Sequence, residues 1–203
     1  MPRNPKTPKE QQRAAEHVSY EIEMLRFSAE RLGGWHSSPM TTPIGNEKNM
    51  ALESFLLHFR NLRAFLCPSL QRCTDDDVLA SDFLGKYDGA DVGDPNNVNV
   101  AKERLDKMLA HLSYSRLNYI GAGDYRWDTS WMLILILEEL QKFLGQLTVK
   151  QRDWFPASEQ LKQAQDRAVA DIKIKRSGFQ LYSDISLTIT GATPDKSLHK
   201  SHY

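Results

Sequence analysis

Apolar residues recur every three or four positions in four long segments. That spacing restricts the chain to amphipathic helices that bury their stripes against one another. The first segment predicts a helix from Pro8 to Leu32, with Val18, Ile22, Leu25, Ala29 and Leu32 on one stripe. Gly33 and Gly34 are expected to stop it, because helix ends favour residues that adopt positive φ. Trp35 to Asn46 carries Pro39, Pro43 and Gly45 and reads as a connection. A second helix is expected from Glu47 to Cys67, burying Leu52, Phe55, Leu56, Phe59, Leu62 and Leu66. Pro68 ends it, since a proline pushes the residue before it away from α geometry. A third is expected from Val98 to Tyr119, with Leu105, Leu109 and Leu112 as its apolar face. Gly121 and Gly123 end it. The fourth spans Asp128 to Leu147, capped by Asp128 or Thr129, and is apolar nearly all round its start.

Four long helices with complementary stripes imply an all-α fold, an antiparallel four-helix bundle over residues 9–150. A fifth, more polar helix is expected from Ala157 to Lys175, with Pro156 near its start, as an accessory element within residues 151–176. Residues 1–8 contain Pro2, Pro5 and Pro8 and are expected to stay loose. Within CTDDDVLASDFLG, Thr74 or Asp75 is expected to cap a short helical turn. Gly85 to Asn97 reads as a long loop. The tail, residues 177–203, includes FQLYSDISLTIT, whose partial alternation allows a strand, a hairpin or disorder.

The chain of 203 residues has 26 Lys and Arg against 26 Asp and Glu, so its formal net charge is zero. That balance argues against broad binding to duplex DNA, which needs excess cations to displace counterions. The N-terminus shows no apolar signal region. The longest apolar run, Trp131 to Leu137, falls short of the ~20 residues a membrane span needs. These features predict a cytoplasmic chain with no membrane partner. Cys67 and Cys73 are too few for a disulfide framework and are read as reduced, with a local bridge left open. The sequence lacks Walker A, Rossmann, zinc-pairing and nucleophile-elbow patterns, so no cofactor is expected. No metal is expected either. Helix capping accounts for Asp75, Asp76 and Asp77 without a cation, and Asp88, Asp91 and Asp94 fail the EF-hand spacing. Trp127 and Trp131 are expected in the core, and His199 and His202 in the tail lack supporting ligands.

The chemistry concentrates on the third helix. Arg104 and His111 are seven positions apart, which on an α-helix is about 700° of rotation and roughly 10 Å of rise. Arg104, Lys107, His111, Tyr114, Ser115 and Asn118 then form one polar stripe beside the leucine face. A histidine at such a boundary titrates near neutrality, and a guanidinium two turns away can neutralise a phosphate. On the second helix, Glu53 and Arg60 share a face from which either can reach that stripe. Ser54, His58 and Asn61 share another. The favoured reading of these second-helix groups is a structural polar network, because buried polar groups must be paired whatever their role.

The segments Arg104-Leu-Asp-Lys-Met-Leu-Ala-His111 and ALESFLLHFRNLRAFL resemble the HEPN superfamily (higher eukaryotes and prokaryotes nucleotide-binding domain) over roughly residues 15–147. The resemblance implies a helical bundle with an R-x4-6-H motif late in it. In active members the motif pairs across a homodimer and cleaves RNA without metal, as in toxin or defence components. The implied roles are His111 as the proton-transfer group and Arg104 as the phosphate clamp. The RNA 2′-hydroxyl would be the nucleophile, so DNA would resist cleavage. The residue after the motif arginine is usually polar in active members, and here it is Leu105. Many relatives are non-catalytic modules that bind a protein partner or dimerise, and that alternative stays open.

Overall fold

The computed structural model describes residues 3–37, 45–67, 73–87, 89, 105, 106, 109, 126–156, 161, 185 and 186. Its elements are α1 (Pro8–Ser37), α2 (Gly45–Leu66), α3 (Ser81–Leu84), β1 (Arg126–Trp127), α4 (Thr129–Gln146), α5 (Val149–Arg152) and β2 (Ile185–Ser186). The described residues are all-α apart from a two-residue antiparallel pair, in which Arg126 lies opposite Ser186 and Trp127 opposite Ile185. That pair gives part of FQLYSDISLTIT a strand partner near the start of α4. No helix among the described residues is long and apolar enough to cross a membrane.

The helix that begins at Pro8 is set by a reciprocal cap. The Glu10 carboxylate accepts from the Thr7 backbone N–H at 2.8 Å and from its hydroxyl at 2.7 Å. The Thr7 hydroxyl accepts from the Glu10 N–H at 3.3 Å. These bonds, the Thr7 hydroxyl's first, hold the Glu10 carboxyl below its ordinary pKa. Gly33 and Gly34 do not stop the helix, which continues to Ser37. Glycine lowers helix propensity by about 1 kcal/mol without forbidding helical backbone angles.

Pairings across the seam show that α2 runs antiparallel to α1. Glu21 meets His58 and Asn61, while Ser28, further along α1, meets Ser54, earlier on α2. Asp128 caps α4, accepting from the Trp131 N–H at 3.0 Å. The first turns of α4 bury Met132, Leu133, Ile134, Ile136 and Leu137, as its nearly continuous apolar run requires. Trp127 is buried, but Trp131 is exposed, contrary to expectation.

Thr74 and Asp75 do not start a helix. Asp77 accepts from the Thr74 N–H and hydroxyl and closes a turn, and α3 begins later, at Ser81. An unexpected short helix, α5, carries a full capping box between Thr148 and Gln151. Cys67 is buried, and no disulfide joins it to Cys73. Burial holds the Cys73 thiol above its ordinary pKa, with Asp77 adding to the effect. Of the third predicted helix, Leu105, Asp106 and Leu109 are described, and of the fifth, Leu161, which is helical and buried. Their remaining residues lie outside the described set.

One end of the core is aromatic. Phe143 on α4 meets Phe65 of α2, Phe83 of α3, Tyr87 and Phe155 edge-on, with ring centroids 5.1, 5.9, 5.7 and 5.6 Å away. Edge-to-face geometry sets the positive rim of one ring on the negative face of the next. The Tyr87 hydroxyl donates to the buried Glu139 carboxylate at 2.8 Å, and Lys142 donates to its other oxygen at 3.0 Å. Gly89 lies so close that an added Cβ would sit 2.8 Å from Glu139 Oε1 and 2.9 Å from the Leu66 carbonyl oxygen.

Phe143→Ala should therefore lower the unfolding free energy by about 3–5 kcal/mol in urea titration. A loss below about 1 kcal/mol would show that the cluster is not packed as described. Burial, and then the bond to Glu139, raise the Tyr87 phenol pKa well above its ordinary value. Above about pH 10 an unfolded tyrosine ionises while the folded Tyr87 keeps its proton. The folded chain then holds more protons, so its stability falls as pH rises. The stability advantage of wild type over Tyr87→Phe should shrink between about pH 9 and pH 11. A pH-independent difference would contradict the buried, hydrogen-bonded phenol.

Candidate functional site

The polar residues predicted on α2 divide between two neighbours. On the side toward α1, His58 is 6% exposed, and its Nδ1 lies 2.7 Å from Glu21 Oε2. An ionised carboxylate only accepts, so Nδ1 carries the proton toward it. Asn61 Nδ2 donates to the same oxygen at 3.1 Å. The Tyr20 ring stands edge-on to the imidazole, with centroids 5.8 Å apart. One turn along, the Ser28 and Ser54 hydroxyls are 2.8 Å apart, and Ser28 also donates to the Met24 carbonyl. His58 and Asn61 are thus consumed in a seam that joins α1 to α2.

On another side of α2, Arg60 Nε donates to Asp106 Oδ1 at 2.6 Å. This ion pair ties α2 to the segment between the two predicted catalytic residues. The Arg60 side chain is 40% exposed and that of Asp106 18%, so solvent screens the pair and its worth is below about 1 kcal/mol. Its value is positional. Glu53, offered with Arg60 as a residue able to reach the third helix, is exposed.

Leu105 is fully buried and winds as α-helix, whereas Asp106 and Leu109 wind in the wider π fashion. A seven-residue spacing returns to one face only where the winding is α throughout. Arg104, His111 and Tyr114 lie outside the described residues.

The acidic run is engaged by protein donors. Asp75 accepts from Asn4, Asp77 from Thr74, and Asp82 from Arg3 and from the Leu79 N–H. No group of three or more His, Cys, Asp or Glu among the described residues is arranged to hold a metal ion. A cleft of about 170 Å³ lies between the start of α1 and the segment from Asp75 to Phe83. Of the described candidates, Glu53, His58, Arg60 and Asn61, none lines it.

Sequence reasoning missed Glu21, Asp106 and Glu139. Each lies at the edge of an apolar stripe, next to Ile22, Leu105 and Leu140 respectively, so burial of the helix carries it to a seam. A charged residue at the edge of an apolar stripe was the available signal.

No family model matches the chain, and searches of curated proteins and of solved structures gave no match.

His58→Ala should cost about 1–3 kcal/mol, because Glu21 loses a hydrogen bond in a half-buried seam. His17→Ala, on the exposed side of α1, should stay within about 0.5 kcal/mol of wild type. Equal effects from the two substitutions in thermal or urea unfolding would remove the structural role assigned to His58.

Proposed function

We propose that the chain is an HEPN-like antiparallel four-helix bundle, formed by α1, α2, the 98–119 segment and α4, that cleaves RNA without a metal. In this reading Arg104 clamps the scissile phosphate. His111 moves the proton as the 2′-hydroxyl attacks and the 5′-oxygen leaves. The observation that supports it best is the Arg60–Asp106 ion pair, since Asp106 falls inside the R-x6-H motif and α2 grips the motif segment there. The π winding at Asp106 and Leu109 is of the kind that recurs at functional sites. A homodimer would bring two such motifs together, and the cell compartment would be the cytoplasm.

A second reading is favoured by Leu105. The position that is polar in active relatives is here a core residue with no exposed surface. On that reading the bundle is a non-catalytic module that pairs with a second copy or another protein. Tyr20 and Phe27 on α1, and Met50 and Leu57 on α2, are exposed apolar residues two turns apart on their helices. Zero net charge also fits a protein partner better than a nucleic acid.

One experiment separates the readings. Purified chain is incubated with single-stranded RNA and with DNA of the same sequence, in EDTA. The ribonuclease reading expects RNA cut, DNA spared, and cutting abolished in His111→Ala with an unchanged helical circular dichroism spectrum and melting temperature. Intact RNA across varied sequences, with a His111→Ala chain that loses stability or self-association, establishes the second reading instead.

A further inference from the structure

Residues Arg3 to Lys6, ahead of α1, are held to one place by a set of polar contacts. Arg3 donates from Nε to the Thr74 carbonyl at 3.0 Å and from Nη1 to Asp82 Oδ1 at 3.0 Å. Its Nη2 reaches the Asp77 carbonyl and, at 3.4 Å, Asp82 Oδ2. Asn4 gives its backbone N–H and its side-chain amide to the two Asp75 oxygens, at 3.1 and 2.7 Å. Lys6 Nζ donates to the Asp75 carbonyl at 2.6 Å. Residues expected to stay loose are thus docked about seventy positions away in sequence. Asn4 and Pro5 are exposed, and Arg3 and Lys6 are only half-buried. The arm therefore adds almost nothing to the apolar core.

Two further features make the docking separable from the fold. The cap of α1 is complete without the arm, because Thr7 and Glu10 satisfy each other. The Thr74–Asp82 segment is also held from elsewhere: Ala80 N–H donates to the Phe65 carbonyl, and Gln11 Nε2 donates to the Asp82 carbonyl at 2.6 Å. Besides the bonds already named, the arm meets α1 through Gln11 Nε2, which donates to the Lys6 carbonyl at 3.5 Å. Lys6 also lines the cleft whose other walls include Ala14, Val78 and Phe83. The docked arm closes one side of that cleft.

We propose that Arg3–Lys6 is a releasable electrostatic strap, hinged at Thr7, that closes the cleft between α1 and the Thr74–Asp82 segment and opens it when its charges are screened or neutralised. The inference is independent of any ribonuclease activity. Contacts of this kind weaken with salt, since the screening length falls from about 10 Å at 0.1 M to about 3 Å at 1 M. Arg3 is the centre of the strap, because its planar fork meets a carboxylate and two carbonyls at once.

The test is limited trypsin digestion of the full chain, reading the bond after Lys6 by mass spectrometry. Arg3→Ala should speed that nick roughly tenfold, since cleavage tracks the population of the open arm. The melting temperature should stay within about 2 °C of wild type. Asp82→Asn, which keeps the acceptor for Leu79 N–H but removes the charge facing Arg3, should speed the nick as well. Raising the salt to about 1 M should act on wild type in the same direction. Nicking after Lys6 that is equally fast in wild type and both variants would overturn the strap, because the arm would already be free. A large fall in melting temperature with cuts throughout the chain would overturn it too, because the arm would then be part of the cooperative fold.

Discussion

Phe143 is the contact on which the arrangement of the described elements depends. Its ring faces residues from α2, from α3, from the chain after α3 and from the chain after α5. Three of these neighbours belong to pieces too short to hold themselves. α3 and α5 have four residues each, below the length at which a helix is stable alone. They persist because Phe83 and Phe155 enter the aromatic cluster and because Gln151 donates to the Phe83 carbonyl at 2.9 Å. Long α4 thus acts as the post, and the short elements are secured to it by rings.

Polar groups decide how the long helices are phased around that post. α2 is apolar toward the core, but its flanks carry His58 and Asn61 on one side and Arg60 on another. Each flank finds a carboxylate, Glu21 or Asp106, on the helix it faces. Rotating α2 by one residue, about 100°, would strand these groups against apolar neighbours and leave buried polar atoms unpaired. The two seams therefore fix the rotation of α2, while apolar burial supplies most of the free energy.

Helix existence was legible in the sequence because the stripes of α1, α2 and α4 are long and regular. The cap of α4 was legible to within one residue, Asp128 or Thr129, since both can cap a helix and the apolar run begins just after them; the bond to the Trp131 N–H picks Asp128. The end of α1 was misread at Gly33 because glycine permits a stop without requiring one, and local propensity cannot tell which follows. Trp131 was misplaced because it sits where α4 is apolar all round, and periodicity then carries no direction. The docking of Arg3 on Asp82 could not be read at all, since nothing local links positions so far apart. For the candidate site, the sequence found the polar side chains of α2 but not their partners. A spacing argument assigns residues to a face, whereas a hydrogen bond is a property of two faces brought together by the fold.

The two α2 seams also bear on where chemistry can reside. Glu21 Oε2 already accepts from both His58 and Asn61. The Nδ1–H of His58 is committed to that carboxylate, and the imidazole is 6% exposed. A general base would act through the other ring nitrogen, Nε2, and so buried an imidazole gives a substrate little access to it, so His58 is poorly suited to the role. Arg60 is similarly committed to Asp106. What α2 contributes to any reaction is then the position of the segment that Asp106 belongs to. The ribonuclease proposal accordingly draws its reactive groups, Arg104 and His111, from outside α2. The same reasoning serves the non-catalytic reading. With His58, Asn61 and Arg60 engaged within the chain, the exposed apolar residues of α2, Met50 and Leu57, are what that reading offers a partner.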